Sequence, residues 1–311
     1  MKVLHILDVS NYIYVYNFTK QSASRGVREV DGYYVNNTAP VGGVIGLARE
    51  VKKIISQGEY VLLCFDRYAE VNKELYQQVF GFKGYKAQRP TNDKIHIQKD
   101  FAERVMRYIG VPCCAQEQHE ADDLIFTAVC KYKDEFDHIR VHTNDSDLAF
   151  LIDNTVSLQK VGKEPRIITV ENYDISLFKN LEIAYNSILF QKLCFGDTAD
   201  NIKGLGRKWA FAIDAYIDSE GYSWSQMGDV NLCRKVLVEV MEKNPDLPNS
   251  NRALDLFSLL TPKKLQYEYI EEPINNIDLK KLNYVINLTK PSGDSYGIED
   301  YLSEYLTEYF R

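Results

Sequence analysis

The sequence predicts an α/β fold, a mostly parallel sheet flanked by helices, and three observations carry that prediction. Apolar runs of strand length recur at 3–9, 60–66 and 139–143. Each runs into carboxylates, Asp8, Asp66 and the pair Asp145/Asp147. Between the runs, apolar residues return at helical spacing, the alternation that builds parallel sheets. With 311 residues, 45% of them hydrophobic, the chain can bury a sizeable core, as one large domain or two unequal ones.

Residues 3–9 (VLHILDV) suit a strand buried on both faces. Asp8 stands at its carboxyl end, where open α/β sheets take up ligands, although a turn-forming role would suit it too. Residues 17–40 are polar and mixed and read as a loop. From 41, Val44, Leu47, Val51 and Ile54 or Ile55 keep helical spacing until Gly58 stops the run, and 60–66 then repeats the opening theme. Residues 67–92 lack a clean period but are dense in rings and cations, among them Tyr76, Phe80, Phe82, Lys83, Tyr85, Lys86 and Arg89. A solvated helix face explains the cations only. Phosphate contacts together with base stacking explain both. A further amphipathic helix follows from Asp93 to Ile109, stopped by Gly110.

The stretch 118–129 packs Glu120, Asp122 and Asp123 into the first turn of a helix whose wide apolar face holds Leu124, Ala128 and Tyr132. The helix dipole favours each acid by roughly 0.3–1 kcal/mol, but mutual repulsion opposes that gain. A divalent cation would resolve the conflict, and plain dipole capping is the alternative. Beyond it, 139–143 is a short strand, 148–152 a short helix, and 155–160 and 166–170 are strands around a Gly162 turn. A helix over 183–195 runs into a fourth acidic pair, Asp197 and Asp200. Residues 221–228 read as a loop, 232–241 and 254–260 as helices, and 284–311 as a polar helix packed on the domain or a partner-binding tail.

Six cysteines include no CxxC pair, so neither disulfides nor zinc are expected, and a reducing cytoplasm fits. Nowhere do about 18 apolar residues run together, so no membrane segment is expected. The net charge of −7 hides an uneven distribution. Parallel pairing would bring the strand-end acids to one edge of the sheet, where they would raise one another's pKa values unless hard divalent ions with oxygen ligands balanced them. Setting aside the nine acids of the four clusters leaves 35 of 44 acidic residues against 37 Lys and Arg, a remainder compatible with a polyanionic substrate.

Taken together, LDVSN at 7–11, CFD at 64–66, YKAQRP at 85–90, EADD at 120–123, TNDSDL at 143–148 and GDTADNIKGLGRKWA at 196–210 resemble the 5′-nuclease family, in family order. That family comprises flap endonucleases, the 5′-nuclease domain of bacterial DNA polymerase I and phage 5′→3′ exonucleases of the ribonuclease H type, which the chain resembles most in length. The resemblance implies a PIN-like core over 1–180, with a helical arch at about 67–98. A helical DNA-binding region with a helix-turn-helix element would follow over 181–311. It implies two Mg²⁺ ions, replaceable by Mn²⁺, one on Asp8, Asp66, Glu120, Asp122 and Asp123, the other on Asp145, Asp147, Asp197 and Asp200. Tyr85 would stack on a nucleotide, and Lys86 and Arg89 would contact the scissile phosphate. Lys83, Gly204, Gly206, Arg207 and Lys208 would bind DNA, the last four through the GxGxKxA turn, with K⁺ held at the helix-turn-helix element.

Two ions about 3.5–4 Å apart can drive in-line phosphodiester displacement. The implied activity is 5′→3′ exonuclease and flap endonuclease action on a DNA flap, nick or RNA–DNA duplex. RNA primers or flaps would thus be removed during replication in the cytoplasm of a bacterium or phage-infected host, by a monomer working beside a polymerase or single-strand-binding protein. Here 202–206 is shorter than the family's paired glycine turns, which loosens the carry-over there. A PIN-type ribonuclease, which should lack the arch motif and the glycine turn, and a structure-specific DNA-binding protein with weak catalysis, which should have lost ligands, are the rival readings.

Overall fold

The structure, a computed structural model, describes residues 1–17, 28–30, 33–35, 42–87, 93–162, 165–172 and 188–287. Its centre is a six-stranded sheet of β1 (Val3–Asp8), β4 (Tyr60–Phe65), β5 (Cys113–Ala115), β6 (His138–His142), β7 (Val156–Gln159) and β8 (Ile167–Ile168), in the order β5-β4-β1-β6-β7-β8. All pairings are parallel except β7 with β8. The three apolar runs are therefore adjacent, with β1 between β4 and β6, and their carboxyl ends share one edge. In β1 every residue is buried, as a central parallel strand requires.

Side-chain alternation assigns the faces. Leu4, Ile6, Leu62 and Cys64 pack toward α5 (Ala121–Tyr132), while Leu7, Val61, Leu63 and Phe65 pack toward α1 (Val9–Asn17), α2 (Gly42–Ser56) and α4 (Asp93–Ile109). Asp8 and Asp66 share the parity of the first set, so both acids emerge on the α5 side. The α5 cluster continues into α6 (Ile188–Phe195), α7 (Arg207–Ser219), α8 (Val230–Lys243) and α9 (Ala253–Leu260). Beyond α9 the chain returns along α5 and β4. Lys263, Leu265, Ile270 and Glu271 bond to Asp123, Thr127, Lys131 and Tyr132, and Ile274 bridges Val61, before α10 (Leu279–Asn287).

Four expectations need correction. Residues 17–40 are not wholly loop: β2 (Arg28–Val30) and β3 (Tyr33–Val35) pair antiparallel. The helix α1 begins at Val9, directly after β1, where the apolar run had suggested strand. The short strand β5 was not anticipated. Within the aromatic segment, Glu70–Phe80 forms α3, ended by Gly81 in the left-handed region with its N–H on Gln77 O. Tyr76 is 1% exposed, its ring against Phe80 and Phe82, and the Arg252 guanidinium lies over Phe80, so much of the ring density packs α3 against the C-terminal helices instead of facing bases. Residues 88–92 of the expected arch, 183–187 of the expected helix and 288–311 of the tail lie outside the described residues. Among the described residues no helix is long and apolar enough to cross a membrane.

Candidate active site

Asp8 ends β1 and is buried. Its carboxylate accepts bonds from Thr143 Oγ1 (3.0 Å), just past β6, and from the backbone N (3.3 Å) and side-chain amide of Asn11 in α1. Burial, then the charge of Asp66, pushes its pKa up to about 7. Asp66, one residue past β4, accepts from the Ala121 backbone N at 2.8 Å, from Ser10 Oγ, and from Lys99 Nζ at 3.4 Å. Burial would raise Asp66, but Lys99, these hydrogen bonds and Lys86 together outweigh it and hold the acid below its ordinary value. The two neighbouring strand ends thus carry one carboxyl poised to keep a proton and one firmly ionised.

The acids of α5 divide in two. Glu120 is the N-cap residue, yet its side chain turns toward α3 and the segment after it to accept from Asn72 Nδ2 (2.6 Å) and Tyr85 Oη (2.8 Å) and to pair with Lys86. Asp122 faces the strand ends: burial first, then the charges of Asp145, Asp8, Glu120 and Asp66, drive its pKa well above the usual carboxylate range. Asp123 is turned elsewhere. Its oxygens are taken by the Lys263 backbone N (2.6 Å) and His119 Nδ1 (2.9 Å), which groups it with the returning C-terminal segment and not with the other acids. One residue along a helix is a rotation of about 100°, and that separates Asp123 from Asp122.

Past β6, Asp145 Oδ1 accepts from the Asp147 backbone N at 2.9 Å. Burial, then Asp145, raises Asp147 to about 7 even though Lys192 pairs with it. The same Lys192 ammonium, on α6, reaches Asp197 Oδ2 at 2.5 Å. Burial would raise Asp197 as well, but Lys192 and the backbone amides of Ala199 and Asp200 hold it low. Asp200 is buried, with Lys86 Nζ 3.9 Å away. Eight of the nine acids thus form one connected set in which Lys86, Lys99 and Lys192 are interleaved.

Sequence reasoning missed Lys99, Lys192, Asn72 and Lys263. Lys263 Nζ bonds Asn72 Oδ1 at 2.7 Å, and Asn72 in turn donates to Glu120. Only Lys192 had a local signal, five residues ahead of Asp197 beside a helix end. The donor set, all carboxylate oxygen, suits hard divalent cations, and the raised Asp8, Asp122 and Asp147 mark uncompensated negative charge. Among the described residues, no three Asp, Glu, His or Cys side chains stand close enough as placed to hold one ion, the ammonium groups lying among them. The residues fit a cation in chemistry, and rotation of these carboxylates away from the lysines is what ligation would require.

Tyr85 and Lys86 lie beside Glu120, and Lys86 holds φ +53 with its backbone N 3.3 Å from Asp200 O. The Tyr85 hydroxyl is spent on Glu120, so a base-stacking role for this ring is not apparent in its contacts. Arg89 lies outside the described residues, and Lys83 is exposed beyond α3. The turn between α6 and α7 is tightly drawn. Leu205 N and Gly206 N donate to Leu193 O (2.9 Å) and Cys194 O (2.7 Å), so the Gly206 amide is turned to α6 and away from any phosphate. Arg207 and Lys208 are exposed at the start of α7.

A parallel sheet whose carboxyl edge gathers acids and lysines, with a tight helix–turn–helix set beside it, defines a class: α/β proteins with a polyvalent acidic centre. Within it the chain belongs to the 5′-3′ exonuclease family, for a family model described as "5'-3' exonuclease, N-terminal resolvase-like domain" matches residues 3–177. DNA polymerase I of Caldicellulosiruptor bescii is 30% identical over 186 residues, 56% of this chain and 21% of the polymerase. The 5'-3' exonuclease of Mycoplasmopsis pulmonis is 28% identical over 59% of this chain and 63% of its own length. The chain therefore spans less than two thirds of either relative. In fold it is similar to T5 5'-exonuclease, in a structure with divalent metal ions (zinc) bound, at 14% identity, covering 99% of this chain and 98% of that one, with a TM-score of 0.50.

Proposed function

We propose that the chain is a divalent-metal-dependent 5′ nuclease that hydrolyses phosphodiester bonds near 5′ ends of DNA or RNA–DNA and removes RNA primers or 5′ flaps. The observation that carries this reading is Asp122, whose carboxyl feels Asp145, Asp8, Glu120 and Asp66 at once. So many carboxylates on one edge are stable only beside cations. Asp8, Asp66, Glu120 and Asp122 would hold one ion, and Asp145, Asp147, Asp197 and Asp200 a second, with Asp123 bracing α5 from behind through Lys263. Mg²⁺, or Mn²⁺ in its place, supplies Lewis acidity and an activated water for in-line displacement. Lys86 and Lys192 balance the acids in the metal-free chain. Lys86, which pairs with Glu120, would with Arg89 supply positive charge to the scissile phosphate. Arg207 and Lys208 hold the polynucleotide backbone, and K⁺ at the 196–206 turn belongs to the same reading.

The test is a 5′-labelled flap or nicked duplex incubated with Mg²⁺ or with chelator. Metal-dependent release of short 5′ products is the expected result, and its absence at any concentration would sink the proposal. Asp147→Asn should lower cleavage strongly while leaving DNA binding in chelator largely intact; undiminished cleavage would remove the second group from the reaction.

A further inference from the structure

Four polar side chains form a hydrogen-bonded chain on the sheet face that packs against α1, behind the acidic edge. His5 of β1 and His142 of β6 lie on the same side as Leu7, a member of the α1 cluster. Glu59 Oε2 is 2.7 Å from His5 Nε2, His5 Nδ1 is 2.7 Å from His142 Nε2, and His142 Nδ1 is 2.7 Å from Tyr12 Oη. His5, His142 and Tyr12 are buried, whereas the Glu59 side chain is 24% exposed, so one end of the chain meets solvent. Burial above all, with Arg140 and Lys53 adding to it, holds both imidazoles far below their usual pKa, so each is neutral and carries a single N–H. The direction of every bond follows. The Glu59 carboxylate can only accept, so His5 donates through Nε2 and accepts at Nδ1; His142 in turn donates through Nε2 and accepts at Nδ1 from the Tyr12 hydroxyl. An aliphatic residue at 5 or 142 would fill a buried parallel strand without the cost of burying polar groups, so folding alone does not account for the chain.

Its buried end explains it better. Tyr12 closes the first turn of α1, and the two residues before it carry bonds to the acids. Ser10 Oγ donates to Asp66, Asn11 donates to Asp8 through its backbone N and its amide, and Asn11 Oδ1 accepts from Asn144 N at 3.0 Å. We propose that Tyr12 and His142 are positioning residues for the acidic edge, and that the Glu59 carboxylate at the far end of the chain orders them. The chain pins the first turn of α1 to β1 and β6, so that Ser10 and Asn11 meet Asp66 and Asp8 in one orientation. Without an acceptor at position 59, either nitrogen of each imidazole can carry the proton, and the Tyr12 hydroxyl loses its defined acceptor. The inference deepens the nuclease reading and rests on it for the role of Asp8 and Asp66 as metal ligands.

The experiment uses the full chain, with imidazole tautomers read by heteronuclear NMR in chelator and Mg²⁺ affinity read by titration calorimetry. In the unaltered chain both His5 and His142 should be Nε2–H tautomers. Glu59→Leu should move His142 toward the Nδ1–H form, although the two residues do not touch, and should weaken Mg²⁺ binding about tenfold, as for other groups that orient ligands through hydrogen bonds. Tyr12→Phe, which removes one hydroxyl and keeps the ring, should weaken Mg²⁺ binding to a similar extent. Combined, the two substitutions should weaken it no further than either alone, because both cut the same chain. Circular dichroism checks that each variant is folded. Additive losses in the double variant, a His142 tautomer indifferent to Glu59→Leu, or unchanged Mg²⁺ affinity in Tyr12→Phe would overturn the proposal and leave the chain a packing role. Parallel incubation with a 5′-labelled flap keeps the two proposals apart. Chain-dependent Mg²⁺ binding without any cleavage retains the positioning role and rejects the nuclease, and cleavage with Mg²⁺ affinity indifferent to the chain does the reverse.

Discussion

Glu120 has its orientation set by residues distant in sequence: Asn72 and Tyr85 donate to one oxygen, Lys86 pairs with the other, and Lys263 holds Asn72 in turn. A buried amide that donates to a carboxylate and is itself fixed by a cation has few alternatives, so loss of the cation should loosen the acid without unfolding the helix. Lys263→Met should lower kcat about tenfold with little change in KM for the flap substrate, and Lys263→Arg should restore part of it. Wild-type kcat in Lys263→Met would show that Asn72 keeps its place unaided. The main-chain bond from Lys263 N to Asp123 survives either change, so the melting temperature should move little. None of this was legible in sequence. The separation of 191 residues between Asn72 and Lys263 contains no local pattern, whereas Asp8, Asp66 and Asp145 announce themselves because each follows its own apolar run.

At the scale of elements, legibility follows periodicity. The strands β1, β4 and β6 are buried on both faces and read as continuous apolar runs, and α2, α4 and α5 show a clear stripe. Periodicity did not show α3, which falls where the resemblance implied a helical arch, because its buried positions include Asn72 and Tyr76, a polar and an aromatic residue where a stripe would hold aliphatics. The hairpin β2–β3 was missed although Asp31-Gly32, a strong two-residue hairpin signal, falls between its strands in the sequence. Three-residue β5 is too short to show any period. The 196–206 turn was legible as a motif, but its physical content is different from a row of phosphate-binding amides. A Cβ on Gly204 would stand 2.4 Å from Cys194 O and 2.5 Å from Gly196 N, because the chain doubles back against the end of α6. Gly204→Ala should therefore destabilise the chain by about 1–3 kcal/mol and, by displacing Asp197 and Asp200, reduce cleavage further than stability alone accounts for. Gly206, at φ +100 and ψ 173 with open space around it, carries only backbone strain, so Gly206→Ala should cost less cleavage for a similar loss of stability. Thermal melts and single-turnover rates on the two variants separate these effects; equal rate losses would assign the turn's glycines a single role.

Across the whole molecule two titrating sets oppose each other. Beneath the sheet edge, His5 bonds His142 and Glu59, and Tyr12 bonds His142, each at 2.7 Å. Burial lowers His5 to about 4 and His142 well below its usual value. The unfolded chain then takes up protons near pH 6.5 that the folded chain refuses, so this set costs stability as pH falls from about 6.5 toward 4. At the carboxyl edge the sign is reversed. Asp8 and Asp147 stay protonated up to about pH 7 when folded, so their contribution is full below about pH 4 and is lost as pH rises through 7. In chelator the two slopes oppose each other and the melting temperature should vary little between pH 5 and 7. A divalent ion on the acids removes the second slope, since it favours their ionised forms, and leaves the histidine slope alone. With Mg²⁺ at a hundredfold excess over Kd, worth about 2.7 kcal/mol of stability, the melting temperature should climb from pH 5 to 7, and the gain over chelator should be larger at pH 7.5 than at pH 5.5. In the metal-loaded chain, His142→Gln should flatten that climb, while Asp147→Asn should diminish the metal-induced gain at every pH. A gain independent of pH would mean that the ion does not displace protons from these carboxyls, and the acidic edge would then not be its site.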